Sequence, residues 1–252
     1  MPRGSKQPTR RESGAPPSAE SSSGEVAEFL AQVAAAPKAG APAGGGRLIV
    51  ALDATASREP TWDRAAEIQA RMFEEAGKLG GLEVQLAYYR GLREFRASPW
   101  CRDTAALARE MTGVMCRAGR TQIGRVLRHA RDEARRGRVG ALVFVGDCLE
   151  ENADRLCELA GELGLLGVPA FLFHEGADTL ARHGFERIAA LSGGACCRFD
   201  AASPDQLRDL LAAVAVYAAG GRPALESHAR TQGGAAGDLV RQLPPPPPGT
   251  GR

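Results

Sequence analysis

Strand-length apolar runs alternate with helical patterns through most of this chain, and that alternation restricts the folds open to it more than any other feature. The runs are 48–53, 84–89, the segment from Ala141 that ends at Asp147, 169–173 and 196–199. Segments near 61–76, 103–111, 123–135, 154–163, 179–191 and 204–218 carry apolar residues at helical spacing. Apolar strands in regular β/α alternation require helices on both faces of a parallel sheet, joined by right-handed crossovers. The expected class is α/β: a doubly wound, mainly parallel, Rossmann-like sheet. One short antiparallel edge strand, 93–98, joins it through a hairpin turn at Arg90-Gly91.

The first strand, Leu48-Ile49-Val50-Ala51-Leu52-Asp53, ends abruptly in oxygen-bearing side chains at alternate positions: Asp53, Thr55 and Ser57. Ligands of open α/β sheets collect beyond the carboxyl ends of the strands, so these three residues stand where a site is expected. All are hard oxygen donors, the type that Mg²⁺ prefers. Two later segments add to them. Gly119-Arg120-Thr121-Gln122-Ile123-Gly124 opens a helix, and Ala141 to Gly146 is a strand followed by Asp147. Taken singly, each of these residues could equally cap a helix or close a turn.

In that order and context the five residues resemble the metal ion-dependent adhesion site of the von Willebrand factor type A family. That site combines an Asp-x-Ser-x-Ser loop, a Thr in a Gly-x-Thr-x-Ile-Gly setting and a distal strand-end Asp. The resemblance covers residues 47 to about 220 and departs in two places. Thr55 stands where Ser is usual, and Val-Gly-Asp-Cys replaces the commoner Thr-Asp-Gly around Asp147. It implies a Mg²⁺ or Mn²⁺ site in which Thr55, Ser57 and Thr121 approach through hydroxyls and Asp53 and Asp147 act directly or through water. It also implies a non-enzymatic interaction module whose metal takes an Asp or Glu of a protein partner. Bacterial intracellular relatives often work beside ATPases of the AAA+ class, so such a partner is expected.

The remaining composition bounds this reading. A chain of 252 residues with 44% apolar content supports one substantial core. Residues 1–46 read as a disordered tail containing a short amphipathic helix, 25–35, and a Pro/Gly linker. Val26, Phe29, Leu30 and Val33 form the apolar stripe of that helix, which either docks on its own domain or binds a partner. Residues 47–220 form the domain, and 221–252 a flexible tail ending in the proline run Pro244 to Pro248. No secretory leader or membrane span is legible, so a cytoplasmic protein with reduced cysteines is expected.

Two rival chemistries compete. Asp53-x-Thr55 and Gly146-Asp147-x-x-x-Glu151 faintly resemble the haloacid dehalogenase-like phosphotransferases, with Asp53 as nucleophile and Asp147 and Glu151 holding Mg²⁺. In that case Thr55 replaces the customary second Asp, and no lysine follows Lys78. The second rival is nucleic-acid binding through Arg125, Arg128, Arg131, Arg135, Arg136 and Arg138. No aromatic stacking positions accompany these arginines, and a net charge of only +2 argues against it. The histidines lack metal-ligand spacing, and no P-loop or Gly-x-Ser-x-Gly elbow appears.

Overall fold

The computed structural model describes residues 46–60, 62, 82–199 and 204–245. The expected helix at 25–35 and its linker lie outside the described residues, as does the helix at 61–76 apart from Trp62.

Strand β1 (Arg47–Asp53) pairs in parallel with β2 (Glu83–Arg90) on one side and with β4 (Ala141–Gly146) on the other. β3 (Glu94–Ala97) runs antiparallel beside β2, while β5 (Ala170–Glu175) and β6 (Ala195–Phe199) extend the sheet beyond β4 in parallel. The order is β3-β2-β1-β4-β5-β6, a mainly parallel sheet with one antiparallel edge, as the sequence pattern predicts.

The side chains of β1 alternate between two apolar layers, as the period of a strand requires. Leu48, Val50 and Leu52 face one layer, which includes Leu107 and Met111 of α1 (Thr104–Thr112) and Leu211 and Val214 of α5 (Pro204–Gln232). Ile49 and Ala51 face the other. It is built from α2 (Ile123–Arg136), α3 (Ala153–Leu165) and α4 (Thr179–Ser192), with Leu127, Ala160 and Phe185 fully buried against the strands. Every side chain of β1 after Arg47 is therefore enclosed, and its polar end emerges at the rim.

Strand order positions that rim. From β1 the chain moves to β2 and β3 on one side, then returns to lay β4 on the other. The carboxyl ends of β1 and β4 thus flank the point where the winding reverses, the crevice such sheets use for ligands.

The C-terminus corrects the sequence reading. Residues from 221 onward were expected to form a flexible tail, yet α5 continues to Gln232 through a kink at Gly221, and α6 (Gly234–Gln242) follows. The physical reason is a sparse apolar pattern that still suffices: Leu225, Ala236, Leu239 and Leu243 are buried in the same layer as Leu48 and Val50. Gly221 turns the chain at φ 69°, and Pro223 restarts the helix where its missing N–H costs nothing. Among the described residues, no helix is long and apolar enough to cross a membrane.

Candidate metal centre

Asp53 ends β1 fully buried, and its carboxylate is held on both sides. Oδ1 accepts the backbone N–H of Thr55 at 2.8 Å, closing a local turn, and Oδ2 accepts the hydroxyl of Tyr89 at 2.8 Å. The Thr55 and Ser57 hydroxyls lie 3.1 Å apart, with Thr55 buried and Ser57 exposed. The first loop therefore presents a graded set of oxygens, running from a buried carboxylate to a hydroxyl in solvent.

Thr121 stands just before α2 and is tied to the loop that follows β4. Its Oγ1 accepts the Glu150 N–H at 3.1 Å, and its own N–H donates to Glu150 Oε2 at 2.9 Å. Glu151 takes the Gly124 N–H on Oε1 at 2.9 Å and the Ile123 N–H on Oε2. Glu151 thus satisfies N–H groups that the first turn of α2 leaves without intrahelical partners, and Glu150 holds the residue just before its cap. The backbone N–H of Gln122 in turn faces the Tyr89 hydroxyl oxygen, so a polar chain runs from the head of α2 through Tyr89 to Asp53.

Asp147 follows the last residue of β4 and is half-buried. A Cβ built on Gly146 would lie 3.4 Å from Cβ of Asp53, so the two strand ends are in contact. Oδ1 of Asp147 is buried and has no hydrogen-bond partner among the described residues. Such an orphaned carboxylate oxygen is the observation that fits a cation, because an unpaired buried acceptor is otherwise costly. Among the described residues no group of three or more His, Cys, Asp or Glu converges, so a cation held here draws on hydroxyls as well as on its two carboxylates. That donor set suits a hard divalent ion.

Electrostatics agree with the donor set. Burial raises the Asp53 pKa above the usual carboxylate value, and hydrogen bonds from Thr55 and Tyr89 only partly oppose the rise. Burial likewise raises Glu151 against the pull of the Gly124 and Ile123 amides, and pushes Tyr89 well above its ordinary value. Tyr89 is thus a permanent donor to Asp53. A positive ion beside Asp53 would relieve the cost of keeping it ionised.

Four participants were not assigned to this site from the sequence. Tyr89 could have been found, because the alternation of β2 places it at the strand end, opposite Asp53 in the register. Arg58, Gln122 and Glu150 carry no local signal. Arg58 is 1% exposed, donates Nη1 to the Asp53 carbonyl at 2.9 Å and Nε to Glu175 Oε2 at 2.9 Å, and so ties the first loop to the end of β5. Glu151, which the phosphotransferase reading used as a metal ligand, instead binds the α2 amides.

No protein-family model and no curated protein matches this sequence. Solved structures do. The VWA domain of SpRpn10 superposes with a TM-score of 0.53 at 12% identity, over 65% of this chain and 95% of that one. A von Willebrand factor type A protein from Catenulispora acidiphila gives 0.55 at 18% identity, over 67% of this chain and 42% of that one. Proximal thread matrix protein 1 of the mussel byssus, in a structure with a zinc-occupied metal ion-dependent adhesion site motif, gives 0.53 at 14%, over 68% of this chain and 48% of that one. The chain thus spans less than half the length of the latter two. Sheet order, layered core and these superpositions together identify the fold as that of a von Willebrand factor type A domain.

Proposed function

We propose that the chain is a non-enzymatic interaction module whose strand-end site holds Mg²⁺ or Mn²⁺ and takes a carboxylate from a protein partner. The observation that carries this reading is the buried, orphaned Oδ1 of Asp147, at the end of the strand next to the one that Asp53 closes. Asp53 and Asp147 would supply the negative charge, and Thr55, Ser57 and Thr121 neutral oxygens. Bound there, a divalent ion offers an electrophilic position to an Asp or Glu of the partner. The adhesion-site metal of the mussel protein supports a divalent ion in this fold. A cytoplasmic setting and a partner of the AAA+ ATPase class remain part of the proposal.

The phosphotransferase alternative is disfavoured by geometry. Thr55 stands where such an enzyme carries its second carboxylate, and Glu151, its expected metal ligand, is taken by the Ile123 and Gly124 amides.

Thermal denaturation with and without MgCl₂ or MnCl₂ tests the reading. At a metal concentration about a hundredfold above Kd, stabilisation should reach about 2.7 kcal/mol. Asp53→Ala and Thr121→Ala should abolish the shift. A wild-type protein indifferent to both metals, or a shift that survives both substitutions, overturns the assignment.

A further inference from the structure

The rim on the β2–β3 side of the candidate metal centre is strongly basic, and nothing in the metal reading uses it. Arg93, Arg96, Arg117 and Arg120 are all exposed there. The geometry that gathers them is fixed by the backbone. The carbonyls of Arg90, Gly91 and Glu94 all accept from Gln122 Nε2, and the Arg93 carbonyl accepts Arg125 Nη1 at 2.7 Å. Gly91 and Gly119 touch so closely that a Cβ on Gly119 would lie 1.9 Å from the Gly91 oxygen. Arg117 forms an isolated bridge with Thr55, and Arg120 precedes Thr121 directly. The basic rim and the candidate ligands are therefore parts of one strapped assembly.

Its charge is not internally neutralised. Glu94 is the one carboxylate within salt-bridge distance of these arginines among the described residues, and it is shared by Arg90 at 2.9 Å, Arg117 at 3.5 Å and Arg96 at 3.9 Å. Arg93 and Arg120 meet no carboxylate among the described residues. Two large apolar side chains stand in the same rim, Leu92 at 76% and Met115 at 67% exposure. Across the site, on the β4–β5 side, the exposed charges are mixed, Glu150 and Asp178 standing with Arg155 and Arg182.

We infer that this rim receives an acidic segment of a protein partner: one carboxylate reaches the metal centre while flanking Asp or Glu residues pair with Arg93, Arg96, Arg117 and Arg120. The inference rests on the metal reading for the place of the central carboxylate. The guanidinium fork suits a planar carboxylate, and Leu92 and Met115 give a peptide apolar anchors. Nucleic acid would also be drawn to arginines, but it would call for exposed stacking rings. The partly exposed rings of the β2–β3 hairpin, Tyr88 and Phe95, are already covered by guanidiniums, Arg90 at 5.6 Å and Arg125 at 5.5 Å from the ring centroids.

The test uses the full chain, a fluorescein-labelled poly-glutamate peptide and anisotropy, with and without Mg²⁺. Arg93→Glu/Arg120→Glu should weaken binding at least about tenfold and reduce its salt dependence, while Arg230→Glu, on α5, leaves it unchanged. Equal affinity of the double reversal and wild type overturns the inference and leaves the metal reading standing. A single-stranded oligothymidine that binds more tightly than poly-glutamate also overturns it, in favour of nucleic acid. Loss of binding in the double reversal, with no response to Mg²⁺ or to Asp53→Ala, supports the basic docking surface and overturns the metal reading instead.

Discussion

Arg58 shows how one residue can set a site that it does not enter. Its guanidinium bridges the Asp53 carbonyl and the Glu175 carboxylate, and its Nη2 lies 2.7 Å from the same Glu175 oxygen. Both side chains are almost wholly enclosed, at 1% and 8% exposure. Breaking a buried pair by removing one partner costs about 3–5 kcal/mol, because the other charge stays behind. Arg58→Met should therefore lower stability by about that amount in urea titration, and Arg58→Lys should restore little, since an ammonium cannot span both acceptors as a planar fork does. Full stability in Arg58→Met would show the pair to be incidental. The same residue marks where sequence reading stopped. Asp53, Thr55 and Ser57 were legible because their spacing is local and their chemistry is distinctive. Arg58 anchors the loop through Glu175, 117 positions away, and Tyr89 reaches Asp53 from 36 positions away; no periodicity reports on those contacts.

At the scale of elements, alternation of apolar runs was enough to place six strands and, among the described residues, the helices near 103–111, 123–135, 154–163, 179–191 and 204–218, because each run is either enclosed on both sides or amphipathic. Residues 221–242 escaped because Gly220-Gly221-Arg222-Pro223 reads as a terminator, and the apolar residues beyond it are few. The structure makes that terminator a corner, after which Leu225 and Leu239 return to the core as fully buried side chains. Leu239→Ala should cost about 2–5 kcal/mol, the usual range for emptying such a position. Gly221→Ala should destabilise by about 1–2 kcal/mol, since φ 69° with ψ −166° is a conformation that a Cβ strains. Chemical denaturation of the two variants checks both, and wild-type stability in each would return this segment to the status of a tail.

Across the whole molecule, the titration of enclosed histidines sets a direction for acid stability. Burial holds His129, His174 and His228 below the ordinary value of 6.5. The unfolded chain then binds more protons than the folded one, so this contribution is complete above about pH 6.5 and is lost as pH falls below it. The melting temperature should be lower at about pH 5.5 than at about pH 7.5, and replacing His129 and His228 with Gln should flatten the difference. A profile unchanged by those substitutions would assign the acid sensitivity to other groups.

The margins of the sheet have one more consequence. On one side β6 has its outward Cys196 N–H taken by Gln242 Oε1 at 2.8 Å, so α6 seals that margin. On the other, β3 is only four residues long, carries Arg96 in solvent and gives way to Pro99 two residues after it ends. Short, charged or covered edges resist pairing with a neighbour's backbone. Two such molecules cannot easily lengthen each other's sheet into a ribbon, so association is directed away from strand-to-strand polymerisation and toward side chains at the strand tips.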